Sequence, residues 1–182
     1  MDEFGKKIKR LSQICGAPIW LVKESLGIPL ETLPNASFED LKMVCIDADE
    51  DSEEQYVALE QIRLMFLIDL KSSSLSRAKE IYELALELDL GDVKIEASQR
   101  WNDLSLDEVK RAKDYEQLDL ASERAHPNSS AKRAALEKRA QWAERDFLKA
   151  HTLESMSQAC RNAPQRSEIK KEIIKEIYIR YF

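Results

Sequence analysis

The sequence predicts an all-α fold, and three observations carry that expectation. Only 4 glycines and 5 prolines interrupt 182 residues, so few positions break a helix. Charged residues make up 34% of the chain and apolar residues 43%, a balance that suits exposed helices wrapped around a core. A pattern with a period of about 38 residues recurs four times, as stacked helical hairpins require. The length suits one well-buried domain, with residues 1–36 as an N-terminal helical cap and residues 37–182 as the repeat.

The N-terminal segment "LSQICGAPIWLVKESLGIP" fits a helix-turn-helix register: Ser12 small in the first helix, Gly16 at the turn, Val22 six residues on and Leu26 as the next buried position. In DNA-binding proteins of that kind the second helix enters the major groove. Here it would present Ile19, Trp20, Lys23 and Glu24, of which only Lys23 is a usual base contact, while Lys6, Lys7, Lys9 and Arg10 would meet phosphates. Pro18 at a helix start is ordinary, and small-x-x-x-Gly spacings are common in helical proteins. The better-supported reading is a capping hairpin over the first repeat, with Trp20 and Leu21 turned inward and Trp20 as its anchor.

Within residues 37–182 each unit is a shorter helix A, a polar turn and a longer helix B. Helix B is expected to begin at Ser52, Gly91, Ser129 and Ser167. Three residues on stand Gln55, Lys94, Lys132 and Lys170, and three further Ala58, Ala97, Ala135 and Ile173, so the register persists beyond the start. Ser37, Ser76, Asp114 and Thr152 are the expected N-caps of helix A, because their side-chain oxygens can accept from the orphan N–H groups of a first turn. "SFED" from Ser37 adds a capping-box acid. Leu41, Val44 and Ala48 match Leu118, Ala121 and Ala125, and also Met156, Ala159 and Ala163, at the i, i+3, i+7 spacing of one helical face. The second unit departs, since Ile81, Leu84, Ala85 and Leu88 sit about one position later and suggest a rotated or shifted helix. "SLDEVKRA", with Glu108 in capping-box position after Ser105, is expected to form an additional short helix between the second and third units.

The segments "DSEEQYVAL", "GDVKIEA", "NSSAKRAAL" and "RSEIKKEII" resemble the A–B turn and helix B opening of HEAT-type repeats, "DVKIEA" most closely. The resemblance covers residues 37–182 and implies a right-handed α–α superhelix of about four hairpins, each burying its apolar face only by stacking on a neighbour. A tetratricopeptide reading fails on its period of 34 and on its ordered Trp, Gly, Tyr and Pro positions. HEAT-like families include DNA glycosylases and bilin lyases. Such glycosylases use a carboxylate with aromatics in a strongly basic groove, and the acidic first half of this chain argues against one.

Candidate chemistry is sparse. Cys15, Cys45 and Cys160 form no CxxC pair and have no histidine set beside them, so they read as buried, reduced thiols. His126 and His151 read as solvated loop residues. There is no GxGxxG, GxxxxGK[ST] or HExxH, and "DADEDSEE" at Asp47–Glu54 lacks the Gly and Glu of a calcium loop. It reads instead as an acidic turn favouring the positive N-terminus of the next helix. The expectation is therefore a non-enzymatic protein with no catalytic residue, no metal and no cofactor. "KKIKRLSQICGAPIWLV" mimics a signal peptide, but Asp2, Glu3, Lys23 and Glu24 flank it and no cleavage pattern follows; with no run of bilayer length, a cytoplasmic location is expected.

"HPNSSAKRAALEK" at 126–138 groups a histidine, serines and bases, yet it is the third of four equivalent segments: Pro127 and Asn128 make the turn, Ser129 caps, and Ala135 and Leu136 open the buried stripe. Arg139 stands where Ile62, Trp101 and Ile177 occupy that stripe, either snorkelling at the edge of the core or marking a functional face. Lys132, Arg133, Lys138 and Arg139 are the candidate partner-binding residues. Residues 1–109 carry 12 Lys and Arg against 23 Asp and Glu, while residues 110–182 carry 16 against 11. A B-helix surface divided in this way suits a partner of mixed or opposite charge. A protein partner is expected, with a DNA-associated regulator as the alternative. The apolar "IIKEIYIRYF" leaves two options: Ile177, Tyr178 and Tyr181 pack on the third unit, or a partner or another copy covers them in a homo-oligomer.

Overall fold

The computed structural model describes residues 3–15, 17, 19–26, 36–49 and 52–182, which form ten α-helices and no strand. They are α1 (Glu3–Cys15), α2 (Ile19–Ser25), α3 (Phe38–Asp47), α4 (Glu53–Leu70), α5 (Leu75–Glu87), α6 (Gly91–Arg111), α7 (Tyr115–Arg124), α8 (Ser130–Leu148), α9 (Leu153–Asn162) and α10 (Glu168–Tyr181). The chain divides into two compact units, Met1–Ser73 with Ile81–Glu96 and Ser74–Glu80 with Ala97–Phe182. Gly16 and Pro18 of the helix-turn-helix register, residues 27–35 before the expected boundary, and Glu50 and Asp51 of the acidic run lie outside the described residues.

Helix starts follow the capping chemistry. Ser37, Ser52, Asp114, Ser129, Thr152 and Ser167 each accept from a first-turn N–H, and Ser37 with Asp40 closes a full capping box. The second A helix, α5, corrects the reading at Ser76. Its cap is Ser74, whose Oγ accepts from the Arg77 N–H at 3.3 Å and whose carbonyl accepts from Ala78 at 2.9 Å. With Ser74 as origin the irregularity of the second hairpin disappears. Ala78, Ile81 and Ala85 then occupy the places held by Leu41, Val44 and Ala48, by Leu118, Ala121 and Ala125, and by Met156, Ala159 and Ala163.

Ser105 is a second correction, because no short linking helix exists. α6 runs unbroken through Ser105, which is fully buried in its interior. Val93, Ala97, Trp101, Ser105 and Val109 form one buried stripe at intervals of four, and no Gly or Pro stands inside to break it. Gly91 is the first helical residue rather than the cap.

Three of the turns into the B helices, those before α6, α8 and α10, share one device. Asp89, Asn128 and Arg166 have φ of 53°, 59° and 63°, and each stands two residues before a B helix begins. After Pro127, left-handed Asn128 lets the Ser129 N–H reach the His126 carbonyl at 3.1 Å; the Ser167 N–H reaches Pro164 in the same way at 3.2 Å.

In the first unit α3 and α4 pack around Leu41, Val57, Ala58, Ile62, Phe66 and Leu70, with the Phe38 and Phe66 ring centroids 5.4 Å apart. Trp20 stacks on Tyr56 with centroids 3.9 Å apart, so α2 is anchored on α4. Leu21 does not turn inward: it is 39% exposed, whereas its neighbour Val22 is buried and Leu26 is exposed. In the second unit Leu118, Ala121, Ala135, Val109 and Ala112 form one cluster, and Ala143, Ala159, Ala163 and Ile173 another, closed by Phe147 and Ile177. Leu136, expected in the stripe, is exposed beside buried Ala135. The thiols are less buried than expected, with Cys15 exposed and Cys45 and Cys160 half-buried; burial still pushes the Cys45 thiol above the usual range. No helix among the described residues is long and apolar enough to cross a membrane.

Candidate functional site

Lys132, Arg133, Lys138 and Arg139 all stand on α8, but the structure gives them different surroundings. Lys132 lies in the first turn, where its backbone N–H is capped by Ser129 Oγ at 3.3 Å; its side chain is half-buried, and Arg133 beside it is exposed. Lys138 Nζ donates to three carbonyls at the end of α6 and just beyond, those of Val109 at 2.7 Å, Lys110 at 2.8 Å and Ala112 at 2.9 Å. These are orphan acceptors of a helix terminus, and a cation there also meets the negative end of the macrodipole. The same ammonium lies 5.0 Å from the Trp142 ring centroid.

Arg139 is bound on three sides. Its Nε donates to the Asn162 carbonyl at 2.6 Å, its Nη1 pairs with Asp119 and its guanidinium lies 5.9 Å from the Tyr115 ring centroid. Tyr115 in turn donates its phenol to Asp146 at 2.8 Å. Burial first, then the bond to the Asp146 carboxylate, holds the Tyr115 phenol well above its ordinary range. The signal missed in the sequence was that Arg139 and Trp101 share a position because both carry an N–H donor. Trp101 Nε1 donates to the Arg124 carbonyl at 2.8 Å, one hairpin earlier, as Arg139 does to Asn162.

His126 lies in the loop between α7 and α8, as expected, but is only partly solvated. Its ring stands edge-on to Trp101 with centroids 4.7 Å apart, half-buried, with Nδ1 2.8 Å from the Pro127 carbonyl; Lys79 lies 5.8 Å from the same indole. His151 is exposed. Near this cluster a groove of about 710 Å³ opens between the start of α5 and α7. Leu75 and Leu120 give it an apolar floor, and Lys79, Arg124, Glu108 and Glu123 give it both signs of charge. Arg124 and Glu108 stand 3.8 Å apart across it. Among the described residues no three His, Cys, Asp or Glu side chains stand where they could hold a metal ion together.

Lys23, the one base that the second N-terminal helix would offer to DNA, is engaged by Glu53, with its Nζ 2.6 and 2.7 Å from the two carboxylate oxygens. Lys6, Lys7, Lys9 and Arg10 on α1 are exposed.

The structure thus defines an all-α protein in which α3 packs on α4, α7 on α8 and α9 on α10, each of these helices capped at its start. No protein-family model matches the chain, and no match emerges among curated proteins or solved structures.

Proposed function

We propose that this chain is an α-solenoid of four HEAT-like hairpins that acts by binding another protein and performs no chemistry of its own. One observation carries the solenoid reading: the same contact recurs one repeat apart. Trp101 and Arg139, equivalent in α6 and α8, reach equivalent carbonyls at the ends of α7 and α9. A second pair follows the same rule. Arg63 in α4 pairs with Asp92 at the start of α6 at 2.6 Å, and its equivalent Asn102 in α6 accepts from Ser130 at the start of α8 at 2.9 Å. Contacts that recur in register are what stacking of one hairpin on the next produces.

The binding reading rests on what is left open in the second unit. Arg133 is exposed and Lys132 half-exposed at the head of α8, while the groove beside α7 combines an apolar floor with both signs of charge. Such a surface suits an extended or helical peptide of mixed charge. Lys138 and Arg139 contribute by holding the hairpins in register, so Lys132 and Arg133 are the two of the four bases offered to a partner. The DNA reading draws little support, because Lys23 is already paired with Glu53.

Affinity capture with the intact chain, followed by a salt titration of the recovered complex, tests the proposal. A protein partner whose retention falls at least tenfold with Lys132→Glu and Arg133→Glu, and only weakly between low and moderate salt, supports it. Recovery of nucleic acid alone, with the steep salt dependence of phosphate contacts, would overturn it.

A further inference from the structure

We infer that the trough along α7 takes a short acidic and apolar segment of a protein partner, its carboxylate held by Arg111 and Arg124 and a neighbouring apolar side chain resting on Leu75 and Leu120. Two cavities carry the inference, both within the second compact unit. The larger, of about 710 Å³, opens between the start of α5 and α7, and a smaller one of about 200 Å³ lies between the end of α6 and α7. Glu108, Leu120 and Arg124 line both, so the two are lobes of one trough. The inference rests on the protein-binding reading and adds to it the chemistry of the side chains that would enter.

The smaller lobe holds donors that the fold leaves uncommitted. Lys138 and Arg139 direct theirs to carbonyls of neighbouring helices, whereas Arg111 has no hydrogen bond or ion pair among the described residues. Arg124 has only Glu108 beside its guanidinium, at 3.8 Å, too far for a hydrogen bond. Gln117 accepts at Oε1 from the Lys113 N–H at 3.0 Å, which leaves its own amide N–H groups to donate elsewhere. Two guanidiniums and an amide over the small apolar surface of Ala112 and Ala121 suit a carboxylate, because each guanidinium presents a fixed fork of N–H donors. The larger lobe supplies the apolar half. Leu120 is 46% exposed, and at the equivalent places within the second unit α5 carries Glu80 and α9 carries Gln158. Hairpin stacking therefore does not require a leucine there.

From Gln117 to Arg124 the trough follows α7 for about 10 Å, at about 1.5 Å per residue. An extended segment covers that length in about three residues, so the acid and the apolar residue should stand close together in the partner's sequence. A nucleic-acid strand suits the trough less. Glu108 and Glu123 line it and repel a run of phosphates, and a sugar–phosphate chain has no apolar side chain to set on Leu75 and Leu120.

Panning a random peptide library on the full chain, then measuring fluorescence anisotropy with the enriched peptide, tests the inference. The expected result is an enriched sequence with Asp or Glu within a few residues of Leu, Ile, Met or Phe. Its binding should weaken at least tenfold with Arg111→Glu and with Leu120→Asp, and stay unchanged with Lys175→Glu, which makes the same charge change on α10. All three positions are exposed, so unchanged circular dichroism is expected to show that the variants remain folded. Enrichment of basic or uncharged sequences, no enrichment, binding that survives Arg111→Glu and Leu120→Asp, or displacement of the peptide by a single-stranded oligonucleotide would each overturn it. The two readings fail separately. A captured protein released by Lys132→Glu and Arg133→Glu but not by Arg111→Glu would overturn this assignment and leave protein binding standing. Recovery of nucleic acid alone, beside an enriched acidic peptide, would remove the protein reading and leave the chemistry of the trough.

Discussion

The Nε of Arg139 donates to the Asn162 carbonyl at 2.6 Å, and one hairpin earlier the Trp101 indole donates to the Arg124 carbonyl at 2.8 Å. Both acceptors lie ten residues after the cap of an A helix, among the last-turn carbonyls that have no partner within their own helix. A side chain of the preceding B helix thus caps the following A helix. Arg139→Met keeps most of the stem and removes the donor, and Trp101→Phe does the same for the indole. Each is expected to cost about 1–3 kcal/mol through the stranded carbonyl, with the Arg139–Asp119 pair adding little because the aspartate is half-exposed. Urea midpoints that shift with unchanged m values would show this, and an unmoved midpoint in both variants would assign the capping to water.

Lys138 satisfies three carbonyls at the end of α6, so its removal should loosen that terminus. Lys138→Met is expected to destabilise by about 2 kcal/mol, because several polar acceptors lose a charged donor together. Arg133→Ala, on an exposed first turn, should stay within about 0.5 kcal/mol. Amide exchange should place the Lys138→Met effect at Val109–Ala112 before the rest of the unit. Equal loss in both variants would contradict the division of roles between them.

The hairpins were legible because their signals are local. A serine, threonine or aspartate at a cap and small apolar residues at fixed offsets can be counted without knowing the fold, as at Asp114, Leu118 and Ala121. Ser76 misled because Ser74 and Ser76 are both able caps, and only the packing of Ala78 and Ile81 decides between them. Ser105 misled because a serine before Asp107 and Glu108 satisfies the capping pattern whether or not the helix stops there. Tertiary burial overrode it. Arg139 was legible as out of place in its stripe and Lys138 as a candidate base, but neither as a cap, since the carbonyls they serve lie more than twenty residues away in sequence. Their charge suggested a surface role, and their geometry gave them a structural one.

Ser105 also sets a stability prediction. Its Oγ is fully buried and has no hydrogen-bond partner among the described residues, while the equivalent position in α8 is alanine. Ser105→Ala removes an unsatisfied polar group and raises helix propensity, so it is expected to stabilise the chain by up to about 1 kcal/mol. A rise of a few degrees in Tm for the 182-residue chain would register it. A fall would mean that the hydroxyl has a bound water as partner.

Tyr115 gives the stability a dependence on alkaline pH. Its folded phenol is raised above the ordinary value of 10.0, by burial and by the bond to Asp146, so the neutral form is the one that folding favours. The contribution is complete below the unfolded value and is lost as pH climbs from about 10 toward the higher folded value. Stability should therefore fall across that alkaline window in the native sequence. Tyr115→Phe is less stable at neutral pH but has a flatter profile above pH 10, and parallel profiles for the two proteins would refute the assignment.

Arg166 holds φ at 63° immediately before the Ser167 cap, a conformation that costs a non-glycine residue about 1–2 kcal/mol. Asn128 occupies the same place before Ser129 at φ 59°, but its short polar side chain tolerates that region better. Glycine pays no such steric cost and loses only about 0.5–1 kcal/mol in chain entropy, so the two sites should respond differently to it. Arg166→Gly is expected to raise stability by about 0.5–1 kcal/mol, and Asn128→Gly should be nearly neutral. Replacing either residue with valine forces a β-branched side chain into the left-handed region and should destabilise by more than 1 kcal/mol, about the usual cost of such strain. Denaturant midpoints for the four variants decide the matter. If Arg166→Gly and Asn128→Gly move together, the turn is not held in the left-handed conformation in solution, and the cap that follows it is set by the helix alone.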